Sequence, residues 1–347
     1  MPLPGQGVVP TGSLFTELSS VTRRSFIPRL FVQIYFACPS LFFFMGGAQR
    51  AAGGLSQITI PVQGQSMVQG QFTGYGGGFN SPVITPGVNV LQFPLAYWVV
   101  PIPLPFGESI IQATDREISL LKARMNDAWA VTVQNVAGLL YSNNTANSLL
   151  PNSLFDACDN GTNVASYGGV NRTAPGNTSL QGQLYTAGAA AGQSGSVGFT
   201  RKTMSNSLII GTDAAGGEAF TTVMMNPGDF ATLNSDFIGS EQIFSKPGEE
   251  RTMGTPVRSS FPNLNVAGVP IFADHFVPLG QAFYPNMKYT SMFISESAAF
   301  DFSGFQSLVP IGQIGQQGVV VFGYNLISAK PSANARVTGI ANPSTTF

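Results

Sequence analysis

Apolar and polar residues alternate along Ile58-Thr59-Ile60-Pro61-Val62. They do so again along Val88-Asn89-Val90-Leu91-Gln92-Phe93 and, less strictly, along Ala96-Tyr97-Trp98-Val99-Val100. A period of two is that of a strand with one buried face. The stretch between, Gly74-Tyr75-Gly76-Gly77-Gly78-Phe79, supplies turn conformations without steric cost. The pattern predicts a long two-stranded hairpin with a flexible tip. A lone hairpin is unstable in water, so this one is expected to lie on something.

The period changes at Thr114. Thr114-x-x-Glu117 has the form of a capping box. Ile118, Leu121, Met125, Ala128, Thr132, Val136 and Leu139 then recur three and four residues apart, as on one face of a helix. Arg116, Lys122, Arg124 and Asp127 mark its wet side, and Ser142-Asn143-Asn144 ends it. A helix over 114–141 would be a rod of roughly 40 Å. A second helix starts at Asn226-Pro227, a cap followed by proline at the first helical position, and runs to about Phe237, before Gly239. Val266 to Val277 and Val319 to Ser328 read as buried strands. At the other end, a Pro/Gly-rich arm passes into an apolar piece over about 17–37 that Pro28 interrupts and Pro39 stops.

Charge sharpens this picture. Only 33 of the 347 residues are charged, 16 basic and 17 acidic, where a soluble domain carries about a quarter. A monomer of this mass exposes roughly 13,500 Å², so even with every charge outside there is about one per 400 Å². Such a surface is expected to be largely covered, by further copies or by lipid. Residues 51–107 hold no charged side chain at all. A net charge of −1 excludes a basic nucleic-acid reader that depends on many phosphate contacts. The 27 Phe and 44% hydrophobic content exclude a disordered chain.

Candidate chemistry is sparse. Phosphate-binding, dinucleotide, nucleophile-elbow and zinc-protease motifs are all missing, and no cofactor or enzyme activity is expected. With one histidine, a two-histidine metal site within the chain is impossible. His275 follows Asp274 in an expected strand, where neighbours point to opposite faces, so a structural histidine is expected. Cys158 lies near Asp156 and Asp159, which raise a thiol's pKa. Four N-x-[ST] sequons, at Asn143, Asn160, Asn171 and Asn177, fall in an Asn/Thr-rich stretch without an export signal, so glycosylation is not expected. Thr22 to Ile27 has a twin-arginine look, but Gln33 and Pro39 interrupt the apolar run from Leu30 to Met45 and no cleavage site follows. That run also falls short of the ~20 apolar residues a membrane span needs. An outer-membrane barrel suits the low charge and Phe347, but the mid-chain helix and Pro343 oppose it.

Several local stretches carry a resemblance. They are Cys38-Pro39-Ser40-Leu41 with Gly53-Gly54-x-x-x-Ile58-x-Ile60-Pro61-Val62, then Tyr167-Gly168-Gly169-Val170-Asn171-Arg172-Thr173, then Val223-Met224-Met225-Asn226-Pro227. Gly268-Val269-Pro270-Ile271-Phe272-Ala273-Asp274, with Val277-Pro278-Leu279-Gly280 and Tyr284-x-Asn286, follows. Asn325-Leu326 to Pro331 and Arg336-Val337-Thr338-Gly339-Ile340 come last. In this order they resemble the major capsid proteins of tailed bacteriophages with the Hong Kong 97 fold.

The resemblance implies an α+β chain with an N-terminal arm over 1–53 and a long hairpin, the E-loop, over 54–107. A P domain over 108–200 would carry the spine helix 114–141, and an A domain over 201–347 would return its chain to the P domain. It implies a shell subunit in the virion, assembled in the host cytoplasm as hexamers and pentamers around double-stranded DNA. A separate scaffolding protein, a portal and a decoration protein are the implied partners, since Met1 is not preceded by an acidic helical segment. Candidate assembly contacts are Arg23, Arg24, Arg29, Tyr75, Gly76, Gly77, Phe79 and Trp98. Relatives that weld subunits by an isopeptide bond use an E-loop lysine. The five lysines here, Lys122, Lys202, Lys246, Lys288 and Lys330, all lie outside that loop, so a noncovalent shell is expected. An encapsulin-like compartment is the alternative that shares the fold.

Overall fold

The computed structural model describes residues 38–51, 57–63, 75, 87–105, 114–145, 147–192, 197–238, 264–308 and 315–341. Two sheets organise them. The first has four strands in the order β1-β12-β13-β4: β1 (Gln49–Ala51), β12 (Thr290–Ser307), β13 (Gly315–Ser328) and β4 (Ala96–Pro105). β12, β13 and β4 are antiparallel to their neighbours, and β1 runs parallel to β12. The long central strands are apolar where they face the helix: Phe302, Val320, Phe322, Tyr324 and Leu326 are buried. Where the register of β12 shifts, Phe300 has φ +54°. Its ring stacks on Phe322 with centroids 4.0 Å apart, a contact that offsets an unfavourable backbone.

Helix α2 (Thr114–Leu139) lies on the inner face of this sheet. Its buried stripe is Met125, Thr132, Val133, Val136 and Ala137, continued by Leu140 and Tyr141 beyond its last turn. The expected stripe therefore shifts at its end: Leu139 is half-buried, and Leu140 takes the core position. The helix closes two residues earlier than expected, so the chain leaves the 3.6-residue period there. Asp127 is exposed as expected, whereas Arg124 is half-buried and donates through Nη1 to the Pro103 carbonyl of β4 at 2.7 Å. The side chains of Thr114, Arg116, Glu117, Ile118, Leu121 and Lys122 lie outside the described ones.

The apolar piece over about 17–37 lies outside the described residues. Pro39 starts a helix that the pattern did not predict, α1 (Pro39–Gly46), with Cys38 at the cap position. Proline suits the first turn because the amide it lacks has no partner there. Leu41 and Phe44 face the core.

The second sheet has six strands in the order β7-β14-β11-β8-β10-β9. They are β7 (Gln183–Thr186), β8 (Val223–Met225), β9 (Leu264–Val266), β10 (Val269–Ala273), β11 (Ala282–Tyr284) and β14 (Ala335–Thr338). Three short helices accompany it: α4 (Ala187–Ala191), α5 (Arg201–Ala214) and α6 (Pro227–Ile238). As expected, α6 opens at Asn226-Pro227, where Asn226 Oδ1 accepts from Gly228 N at 2.9 Å. The expected single strand from Val266 to Val277 is instead two strands and a turn. Ala267 (φ +51°) and Gly268 (φ +82°) form a two-residue connection between the paired Val266 and Val269. Two consecutive positive φ angles match the right-handed twist of a hairpin, and an apolar alternation reads through such a turn unbroken.

The predicted hairpin is present as β2 (Gln57–Gln63) and β3 (Val88–Pro94), with Ile58 opposite Phe93 and Ile60 opposite Leu91. Ala96–Val100 does not extend it, because β4 pairs with β13. Of the tip, Tyr75 alone is described, and it is exposed. The hairpin lies on Tyr167, Leu180 and Ile327 in a third small core.

Candidate assembly surface and the joints behind it

The hairpin presents one face to the protein and the other outward. Leu91 and Phe93 are buried, while Val88, Val90 and Pro94 on the same strand are exposed, with Thr59, Pro61 and Gln63 beside them on β2. No charge interrupts this outer face. Strand β4 repeats the arrangement. Trp98 turns inward, half-buried, and donates through Nε1 to Thr132 Oγ1 of α2 at 3.3 Å, while Tyr97 and Val99 stand about half exposed on the opposite side. Phe42 and Phe43 are exposed on α1, and Ile209 and Ile210 on α5. Isolated apolar side chains on a surface are ordinary, but contiguous uncharged strands mark interaction faces.

Of the residues singled out as assembly contacts, the structure brings Tyr75 to the outside and Trp98 against α2. Arg23, Arg24, Arg29, Gly76, Gly77 and Phe79 lie outside the described residues. Tyr97, Val99, Val88 and Val90 are the outward residues that the sequence reading did not single out. The available signal was the phase of alternation along β3 and β4.

Behind these faces, polar joints tie the units together, and they contain the motifs that carried the resemblance. Cys38 and Ser40 of α1 meet Asp274, more than 230 residues away in sequence. Asp274 Oδ2 accepts from Ser40 Oγ, from Cys38 Sγ at 3.2 Å and from Tyr141 OH at 3.4 Å, and Oδ1 accepts from Phe276 N at 2.9 Å. All four of Cys38, Ser40, Tyr141 and Asp274 are buried. Burial pushes the Cys38 thiol and the Tyr141 phenol above their usual ranges, and the neighbouring Asp274 adds to this. Both stay protonated and act as donors. His275 is corrected: it is exposed in a turn that follows β10, where neither strand alternation nor burial applies. Its ring lies edge-on to Phe276, and the carboxylate of Asp274 turns inward to other partners.

A second joint is charged. Helix α3 (Leu154–Cys158) has a capping box, with Ser153 and Asp156 each accepting from the other's amide. At its far end, Arg172 donates through Nη1 to the Asp159 carbonyl and through Nη2 to the Asp156 carbonyl. A cation there satisfies orphan carbonyls and the negative end of the helix dipole. Arg172 also lies over the Tyr167 ring at 4.5 Å, and Arg336 lies over Phe155 at 3.8 Å. The Asp159 carboxylate accepts from the amides of Gly161, Asn163 and Val164 and from Asn163 Nδ2, all within 3.0 Å. It also pairs with Arg336 Nη2 at 3.5 Å. Burial alone would raise its pKa, but these donors outweigh it and hold the carboxyl below the usual range. The Cys158 thiol is pushed up to about 12, mainly by burial; the two arginines oppose that and the two aspartates add to it.

Further ties come from uncharged side chains. Gly168 (φ +56°) accepts from Gln92 N of the hairpin at 3.0 Å, and a Cβ there would stand 2.8 Å from Leu91 Cβ. Tyr167 OH accepts from Ser328 N at 2.8 Å. Asn325 accepts from Asn152 N at 2.8 Å and donates to the Pro94 carbonyl at 2.6 Å. Asn334 accepts from Asn286 N and Thr290 Oγ1 and donates to Ser328 Oγ, joining the two sheets. The sequons have a local role too: Asn143, Asn160 and Asn171 each accept from the amide or hydroxyl of the Thr two residues on, an Asx turn.

Among the described residues, no cluster could hold a metal ion, and no helix is long and apolar enough to cross a membrane. No family model and no curated protein matches the sequence. Solved structures do. A chain of the cyanophage A-1(L) capsid asymmetric unit is 14% identical, with 88% of this chain and 93% of that chain covered and a TM-score of 0.64. A capsid chain of a native GTA particle is 13% identical, with coverage of 86% and 90% and a TM-score of 0.51. The SrpI encapsulin of Synechococcus elongatus is 12% identical, with coverage of 75% and 78% and a TM-score of 0.47. The fold is that of capsid chains. More narrowly, the chain has the fold of a tailed-phage major capsid protein.

Proposed function

We propose that this chain is a major capsid protein that self-assembles into hexamers and pentamers of an icosahedral shell enclosing double-stranded DNA. The observation that carries this reading is the likeness to the cyanophage A-1(L) capsid chain over nearly the full length of both. The charge arithmetic supports it independently: a subunit embedded between neighbours needs few charges, and 10% is what the chain has. The arm is assigned to 1–53, the E-loop to 54–107, the P domain with α2 as its spine to 108–200 and the A domain to 201–347. The role is structural rather than enzymatic. A separate scaffolding protein, a portal and a decoration protein complete the assignment, with the virion as location and the host cytoplasm as the site of assembly. The outward residues Val88, Val90, Tyr97 and Val99 join Tyr75 as contacts between subunits.

Electron microscopy of the purified protein tests this. Large DNA-filled heads are expected. Small empty shells would favour an encapsulin-like compartment, and detergent-dependent trimers a membrane barrel. A monodisperse 36.5 kDa species at high concentration in plain buffer would overturn self-assembly. Particles boiled in detergent and reductant should run as one band, because no lysine lies within 51–107. Shell contacts made by that uncharged loop should depend weakly on salt.

A further inference from the structure

Strand β4 ends the four-stranded sheet, and among the described residues no strand pairs with its outer side. The opposite end, β1, is three residues long and carries an exposed Arg50. A short, charged edge of that kind resists pairing. β4 has neither protection. It is ten residues long, an edge of roughly 33 Å, and it holds no charged side chain. Its first half, Ala96-Tyr97-Trp98-Val99-Val100, is rich in residues that favour strands. A long uncharged edge is a template for another strand.

The second half differs. Pro101, Pro103 and Pro105 occupy every other position and lie opposite Val319, Gln317 and Gly315 of β13. In an antiparallel ladder, pairs that exchange two hydrogen bonds alternate with pairs that exchange none. Proline has no amide hydrogen, so its three pairs are those without bonds, and Val100, Ile102 and Leu104 bond to β13 instead. Two contacts agree with this phase. Val319, opposite Pro101, sends its N–H away from β4, to Ser303 Oγ of β12 at 3.1 Å. The Pro103 carbonyl is not spent on β13 either, and Arg124 Nη1 of α2 donates to it at 2.7 Å. By the same alternation, the amides and carbonyls of Tyr97 and Val99 face the open edge.

We infer that the free edge of β4 is closed to strand addition from Pro101 to Pro105 and open at Tyr97 and Val99. An incoming strand finds two donors, then three positions where the donor is missing, one of them with its carbonyl already bonded to a cation. The prolines cost the fold no ladder bond, because each falls where the ladder needs no donor. The same residue one position along would remove a bond to β13. Their placement therefore subtracts contacts with other chains and none within this one. Subunits cannot join edge to edge along the whole of β4, so its strand-forming residues do not seed stacked sheets. The inference rests on the ladder register and is independent of the shell assignment.

Substitutions in the full chain test both halves of the edge. Val99→Pro removes an edge-facing amide and no ladder bond, so its denaturant midpoint should stay close to that of the wild type. Val100→Pro removes a bond to Val320 and should lower the midpoint clearly or prevent folding. Equal midpoints, or a Val99→Pro chain that does not fold, would overturn the phase and the inference with it. Replacing Pro101, Pro103 and Pro105 together by Thr returns three donors to the edge. That variant should aggregate with an intermolecular β-sheet infrared band and a several-fold rise in thioflavin fluorescence over the wild type at the same concentration. Val99 is exposed, so adding Val99→Lys puts a charge on the edge and should remove most of the rise. No rise in the triple variant overturns the inference, and so does a rise that Val99→Lys leaves unchanged, since that traces it to unfolding. If the triple variant does not fold, Pro101→Thr alone, beside the open amides, decides by the same readout.

Discussion

The two buried joints hold their carboxylates in opposite ways. Asp274 sits among neutral donors, a hydroxyl, a thiol, a phenol and a backbone amide, from three separate parts of the chain. Asp159 is also wrapped by amides, but arginines reach the same joint from the end of the small hairpin β5 (Ser166–Tyr167) and β6 (Val170–Asn171) and from β14. Neutral donors share a charge among many weak bonds, so the loss of one is tolerable. A buried cation is a single part whose removal strands everything it satisfied. The Asp274 joint should fail in steps and the arginine joint all at once.

The largest effect should come from Arg172→Met. It removes a buried cation together with both acceptor contacts at the α3 carbonyls, and a loss of about 3–5 kcal/mol is expected, read as the shift in a denaturant midpoint at constant slope. A loss below about 1 kcal/mol would show that the two joints do not differ. Asp274→Ala should cost about 2–4 kcal/mol, because four donors lose their acceptor in a dry site. Asp274→Asn should recover part of that, since its carbonyl still accepts.

Arg336→Met sharpens the contrast within one joint. Arg336 is as buried as Arg172, yet its ion pair is long and two of its nitrogens have no acceptor. Replacing it with an apolar chain should cost no more than about 1–2 kcal/mol. A cost equal to that of Arg172→Met would mean that charge balance, not hydrogen bonding, governs the site. Smallest of all, Tyr141→Phe removes one long bond at 3.4 Å and should cost about 0.5–1 kcal/mol. Thermal unfolding of the purified variant checks this.

Residues that repeat at a fixed spacing were legible. The α2 stripe through Met125 and Val136, the β2–β3 alternation and the Asn226-Pro227 start all follow from local geometry, and the structure has each of them. Reading failed where two conformations share one pattern. Proline can end a helix or begin one, and the helix that begins at Pro39 was missed because the burial of Leu41 and Phe44 is set by distant parts of the chain. Val266 to Val277 alternates through a two-residue turn, so periodicity hides the hairpin. Which side of β4 meets α2 is likewise not set by its sequence, because strand phase is ambiguous by one residue until a partner surface is known, and Trp98 turns to Thr132 of α2.

By itself the sequence determined the quantities that do not depend on neighbours distant in the chain: the charge poverty, the loop without lysine, the rod-like helix and the order of segments. Tertiary structure alone decided the joints. Asp274 with Ser40, Asp159 with Arg336 and Asn325 with Pro94 are separated by 234, 177 and 231 residues. No local spacing encodes such pairings. A buried polar group must find a partner wherever the fold brings one, because leaving it unpaired costs more than any propensity along the chain supplies.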